Sequence, residues 1–184
     1  MSAVDVYGQI ADRLVGGMMF HDDHATLMEF LGYQGLKRVH ESGYLSDSAD
    51  LRRVQRYCVS HLGQIAPRGG QKRVPVLDPL MGMRRGDIDD DTRLNKLRSS
   101  MDAWVDWETE TKKVYERAWE SLMRTNDTSA MRLVEHLIAN VDDELSMAVE
   151  LRLGLQASGW DMPYAMDIQP ALEKEYKAVT KALD

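Results

Sequence analysis

The chain has little of what would cross-link or interrupt it. Among 184 residues there is one cysteine, Cys58, so no internal disulfide can form. That usage fits a reducing, cytoplasmic setting. Only five prolines occur, at Pro67, Pro75, Pro79, Pro163 and Pro170. They fall in two short zones and leave long windows free of the residue that breaks helices most strongly. No apolar run approaches the ~20 residues of a membrane span. Met1 to Asp5 show no basic stretch leading into an apolar core, so no secretory signal is read there. Positive charge is in deficit, with 23 Lys and Arg against 30 Asp and Glu and a net charge of −7. That balance argues against a general nucleic-acid binder.

What is present is helical patterning over most of a length suited to one domain, residues 1–184. The strongest stripe runs through Leu94, Leu97, Met101, Trp104, Glu108, Thr111, Tyr115, Ala118 and Leu122. Three-four spacing keeps one face of a helix toward its partners. The predicted helices span about 4–41, 47–62, 92–124, 128–157 and 169–183. The first carries Phe20, His24, Leu27, Leu31 and Gln34 and is expected to stop at Ser42-Gly43, with Ser46 to Ser48 capping the second. The second carries Leu51, Val54, Cys58 and His61 and stops at Gly63. The acids Asp89 to Asp91 suit the start of the third. Asp127 or Thr128 caps the fourth, whose stripe is Val134, Leu137, Val141, Glu144, Ala148, Leu151 and Leu155. A short break between the third and fourth predicts an antiparallel hairpin.

Residues 66–91 lack helical periodicity and are punctuated by proline and glycine. At ~3.3 Å per residue such a segment can cross the length of a helix pair. Val74 to Leu77 reads as extended, and Arg85-Gly86-Asp87 as a turn. The architecture that results is an all-α four-helix bundle of two antiparallel hairpins joined by a long crossover, with a short terminal helix.

Two carboxylates interrupt these apolar stripes. An ionised carboxylate on a buried face is costly unless it is paired, hydrogen-bonded or bound to metal. Glu108 lies 17 residues before Thr125, and Glu144 lies 16 beyond Thr128. At ~1.5 Å per residue the two are level to within about a turn. By the same count His24 and His61 are level across the first hairpin. Each long helix thus offers metal-capable side chains near mid-height: His24, Cys58 with His61, Glu108 and Glu144. His21, His40 and His136 fall off the main stripes and read as surface residues. Trp107 and Trp119 flank the stripe of their helix and point to an oligomer interface.

This pattern resembles the ferritin-like superfamily. The resemblance is carried by Asp106-Trp107-Glu108-Thr109-Glu110, by Val141-Asp142-Asp143-Glu144, and by Arg52-Arg53-Val54 with Tyr57-Cys58-Val59-Ser60-His61-Leu62. It implies ligands from Glu on the first helix, Glu-x-x-His on the second, Glu on the third and a further site on the fourth. Glu108 and His61 match that scheme. Cys58 stands where the Glu of Glu-x-x-His is expected, and His21-Asp22-Asp23-His24 replaces a single clear Glu on the first helix. The implied metal set is therefore Glu108, Glu144, His61 and His24, with Asp22 and Cys58 as additions. Losing a bridging carboxylate and gaining a soft sulfur favours Zn²⁺, Co²⁺ or a single Fe²⁺ over an oxygen-activating iron pair.

Three readings follow. The first is a metal-binding protein that holds iron or another divalent metal, with oxidation or storage implied by the resemblance. The second is a bundle without an active centre that serves as a scaffold or interaction module, its polar layer fixing register. The third is a partner-binding protein that uses residues 66–91 or Trp160 to Met166. A homo-oligomer, a dimer or a larger shell, is expected if the resemblance holds; no nucleic acid or membrane partner is.

Overall fold

The first reversal of the chain comes at Gly32. The computed structural model describes residues 3–69, 76–77, 80–125 and 127–172. Helix α1 (Ala3–Leu31) ends where Gly32 takes φ 96°. Gly32 N and Tyr33 N both donate to Met28 O, at 2.9 and 2.8 Å. This is a left-handed cap of the kind glycine supplies without steric cost. Helix α2 (Gln34–Tyr57) then runs straight through Ser42-Gly43 and Ser46 to Ser48. The expected break at Ser42-Gly43 is corrected, and the reason is packing. A Cβ on Gly43 would lie 2.6 Å from the His21 ring. An interior glycine costs a helix about 1 kcal/mol, and here it admits a side chain from α1.

The stripe of α2 follows accordingly: Leu36, His40, Gly43, Asp47, Asp50, Val54 and Tyr57 recur at three-four spacing. The helix closes in one π-type turn, Cys58–Leu62, stopped by Gly63 at φ 64°. Helix α3 (Asp90–Met123) is capped by Asp89, which accepts from Thr92 N at 2.6 Å. Helix α4 (Thr128–Ala157) is capped by Asp127, which accepts from Ser129 N and Ala130 N at 3.0 Å each. Arg85–Asp87 is a turn of 3-10 helix. After Gly159, at φ 70°, a short α5 (Met162–Asp167) starts with Pro163 in its first turn. Of the expected terminal helix, 169–183, residues 169–172 are helical and the remainder lies outside the described residues. Of the expected extended segment, Val74 and Pro75 lie outside them too, while Val76 and Leu77 form a bend.

α1 packs along α2, α3 along α4, and α1 also along α3. The core is divided in two. One cluster gathers Tyr7, Ile10, Leu14, Val54, Cys58, Leu122, Val134 and Leu137. The other gathers Leu27, Met28, Leu31, Leu36, Leu97, Met101, Trp104 and Leu155. Ala66 belongs to the first and Leu80 and Ile88 to the second, so the crossover traverses the bundle from end to end. Between the clusters lies a layer of polar side chains. Among the described residues no helix is long and apolar enough to cross a membrane.

Candidate metal centre

The polar layer is built from all four long helices. The stripe Tyr7, Ile10, Leu14, Gly17, His21, His24, Met28 brings His21 to the layer from α1. α2 supplies His40, Asp47 and Asp50, α3 supplies Glu108, and α4 supplies Asn140 and Glu144. His21 is 1% exposed and Glu108 2%. Ligand atoms of His21, Glu108 and Glu144 all lie within 4.8 Å of one another. His21 Nε2 stands 3.5 Å from Glu108 Oε1 and 3.8 Å from Glu144 Oε2. Those distances exceed an N–H···O hydrogen bond, and His21 Nε2 has no hydrogen-bond partner. Beside this trio a cavity of about 10 Å³ is lined by Ser46, Asp47, Asp50, Glu108, Thr111, Tyr115, Asn140 and Glu144, with Leu137 and Val141 as its apolar wall. It has room for roughly one water-sized body.

Electrostatics make the layer short of positive charge. Burial, then the neighbouring Glu144, Glu108 and Asp50, push the Asp47 carboxyl well above its usual range. Burial and then Glu108 push Glu144 up as well, with the Ser46 hydroxyl partly offsetting them. Tyr115 is raised by burial and by the same carboxylates. Arg13 is a cation close to Glu108 and Asp47. Its Nε donates to Thr111 Oγ1 at 2.7 Å and its Nη2 to Trp107 O at 2.5 Å, and the guanidinium lies 3.5 Å over the Trp107 ring. Burial lowers its pKa, while Glu108 pulls it back up. Trp104 Nε1 donates to Glu108 Oε1 at 3.2 Å and fixes that carboxylate. On the outer side Asp50 is engaged: Arg53 Nη1 donates to it at 2.5 Å, Asn140 Nδ2 donates to it at 2.8 Å, and His136 Nε2 lies 3.1 Å away.

The six residues implied by sequence scatter. Glu108 and Glu144 meet in the layer. His24 is buried but lies beyond it: its Nδ1 is 2.8 Å from Phe20 O and its ring stacks on Phe20 at 3.9 Å. Burial lowers its pKa to about 4. Asp22 is exposed. Cys58 sits wholly inside the first apolar cluster, its thiol pKa raised by burial. His61 is exposed, stacked on Tyr57 at 4.4 Å. The cause is the early turn at Gly32. Moving the start of α2 shifts its mid-height from Cys58 and His61 to Asp47 and Asp50, 11 residues or ~17 Å back along the axis. The acid pair at i, i+3 on α2 is thus Asp47 and Asp50.

Two histidines read as surface residues, His21 and His40, are each 1% exposed. The regular stripe through Gly17 and His21 was the signal for the first. Gly17 carries a second: a Cβ there would collide with the Asp47 carboxylate, so Asp47 occupies space that a side chain on α1 would otherwise fill. Trp107 and Trp119 are half-buried rather than exposed. Trp107 stacks on Phe20 at 5.1 Å, and Trp119 packs against the first cluster.

The chain matches no protein-family model and no curated protein. Solved structures do match. A closed form of the Archaeoglobus fulgidus ferritin, engineered by mutagenesis, aligns with a TM-score of 0.70 at 11% identity, over 94% of this chain and 96% of that one. The open-pore ferritin of the same hyperthermophilic archaeon aligns at 0.68 and 11%, over 92% and 94%. A humanized archaeal ferritin aligns at 0.69 and 12%, over 94% and 95%. At such identities the likeness speaks for the fold alone. In helix order, crossover and coverage, this chain has the ferritin-like four-helix-bundle fold.

Proposed function

We propose that the chain binds a divalent metal at mid-height of the bundle, with His21, Asp47, Glu108 and Glu144 as ligands and Asp50 beside them. The observation that carries this reading is the unpartnered Nε2 of His21, buried and aimed between two carboxylates from two other helices. The donor set fits the ion. Two ligands at ~2.1 Å from one metal stand ~3.0–3.4 Å apart, close to the 3.5 and 3.8 Å found. A cation bound among these carboxylates would offset the burial and mutual repulsion that raise Asp47 and Glu144. One nitrogen with several carboxylate oxygens suits Fe²⁺, with Zn²⁺ as the alternative.

Iron is the metal favoured by the ferritin fold, and oxidation or storage is the activity that fold suggests. Iron would then be substrate or cargo: the carboxylates would hold Fe²⁺, Trp104 would keep Glu108 in place, and an oxidant would take the electron. Assembly into a homo-oligomer, a dimer or a shell, belongs to the same reading. Tyr44 and Leu45 of α2 and Leu153 of α4 leave apolar surface for it. A second reading keeps the layer as structure, because Arg13 already lies near Glu108 and Asp47.

Elemental analysis of protein exposed to Fe²⁺ and desalted separates the two readings. Stoichiometric iron in the wild type, absent from a His21→Ala, Glu108→Ala double variant, is the expected result. Tens of irons per chain would indicate storage. Equal retention by both proteins, or none by either, sinks the site.

A further inference from the structure

We propose that His40 is the positioning residue of this centre: it holds His21 as the Nδ1–H tautomer and so leaves the His21 Nε2 lone pair facing Glu108 and Glu144. The inference rests on the metal reading, which gives that lone pair its use.

The two Nδ1 atoms lie 3.1 Å apart in a buried contact, so one of them donates and the other accepts. Were His21 the acceptor, its own proton would sit on Nε2. That N–H would then point at the oxygens 3.5 and 3.8 Å away and occupy the direction from which a cation is bound. With His21 as donor, Nε2 carries no hydrogen and becomes a ligand atom. Metal-binding imidazoles commonly donate their second nitrogen to an orienting acceptor. Here the buried imidazole of His40 fills that place.

The ring is also held sterically. Gly43 lies three residues beyond His40 on α2, and its bare face accepts the imidazole, with the nearest ring atoms 2.6 Å from where a Cβ would stand. Phe20 meets the ring edge-on at 5.4 Å. The ring of His40 in turn lies 4.8 Å from Trp104, the donor that fixes Glu108. One packed unit thus orients a ligand from α1 and a ligand from α3.

Tautomers can be read from ¹⁵N-histidine NMR spectra of the full chain, metal-free and after addition of Zn²⁺. In the wild type His21 is expected to carry its proton on Nδ1. In His40→Leu the proton should move wholly or partly to Nε2, and Zn²⁺ affinity should fall ~10–100-fold. His40→Gln offers a carbonyl to the same Nδ1–H and should restore the tautomer. A wild-type His21 protonated at Nε2, or a His40→Leu variant with an unchanged tautomer, overturns the proposal. If the tautomers behave as stated but the wild type takes up no metal, the positioning role stands and the metal reading falls.

Discussion

The mid-height layer and the Cys58–His61 end of α2 offer the same kinds of side chain and opposite fates. Both present metal-capable groups at i, i+3 on one helix: Asp47 with Asp50, and Cys58 with His61. At mid-height the acids are met by His21, Glu108 and Glu144 from three other helices. At the far end Cys58 packs into an apolar cluster with Tyr7, Val54 and Leu122, and His61 stacks on Tyr57 at the surface. A ligand pair on one helix becomes a site only when other helices bring donors to the same height. Where they bring Tyr7, Leu122 and Val134 instead, the cysteine is a small hydrophobe.

That contrast can be tested, beginning with the histidines. His24 borders the layer and stays neutral in the fold down to about pH 4. In the unfolded chain it takes a proton near 6.5. The folded value is the lower one, so its contribution is intact above about 6.5 and is lost as the pH falls toward 4. Urea unfolding of the wild type against His24→Leu should show a relative loss of about 3 kcal/mol across that window.

A smaller effect is expected from the carboxylates. In Glu144→Gln one crowded charge is gone, and the metal-free protein should gain about 1 kcal/mol at pH 8. The sign of the pH dependence follows from its raised pKa. The penalty begins above the ordinary value of 4.5 and grows as the pH rises toward the raised one, so the gain shrinks as the pH falls toward 4.5. Thermal unfolding at pH 8 and pH 5 checks this, and a destabilised variant at pH 8 would contradict it.

The smallest effects belong to the other end of α2. Cys58→Ala should cost about 1 kcal/mol through a small cavity, with no dependence on pH and no change in metal retention. His61→Ala should stay within ~0.5 kcal/mol of the wild type. A Cys58 or His61 variant that lost metal would erase the distinction drawn here.

The α3–α4 half of the polar layer was legible. Its turn is short and flanked by clear caps, so counting outward from it sets Glu108 and Glu144 level. The α1–α2 half was not. Gly32 and Gly43 look alike in one dimension, and each can end a helix. Only Gly32 does; Gly43 faces the His21 ring. An error of three helical turns in that one position misaligned every residue of α2, which is why Cys58 and His61 took the place of Asp47 and Asp50. His21 was missed for a related reason. α1 packs against both α2 and α3, so its buried surface is broad, and periodicity alone does not say which histidine points at the centre.

Composition and periodicity by themselves determined that this chain is helical, where α3 and α4 begin, and that two carboxylates lie level on their buried faces. Those are local properties, set by caps and by the pitch of a helix. Tertiary structure alone decided which residues of α1 and α2 meet those carboxylates. The height of a side chain in a bundle is measured from a turn, and which glycine makes the turn depends on the neighbour that packs against it.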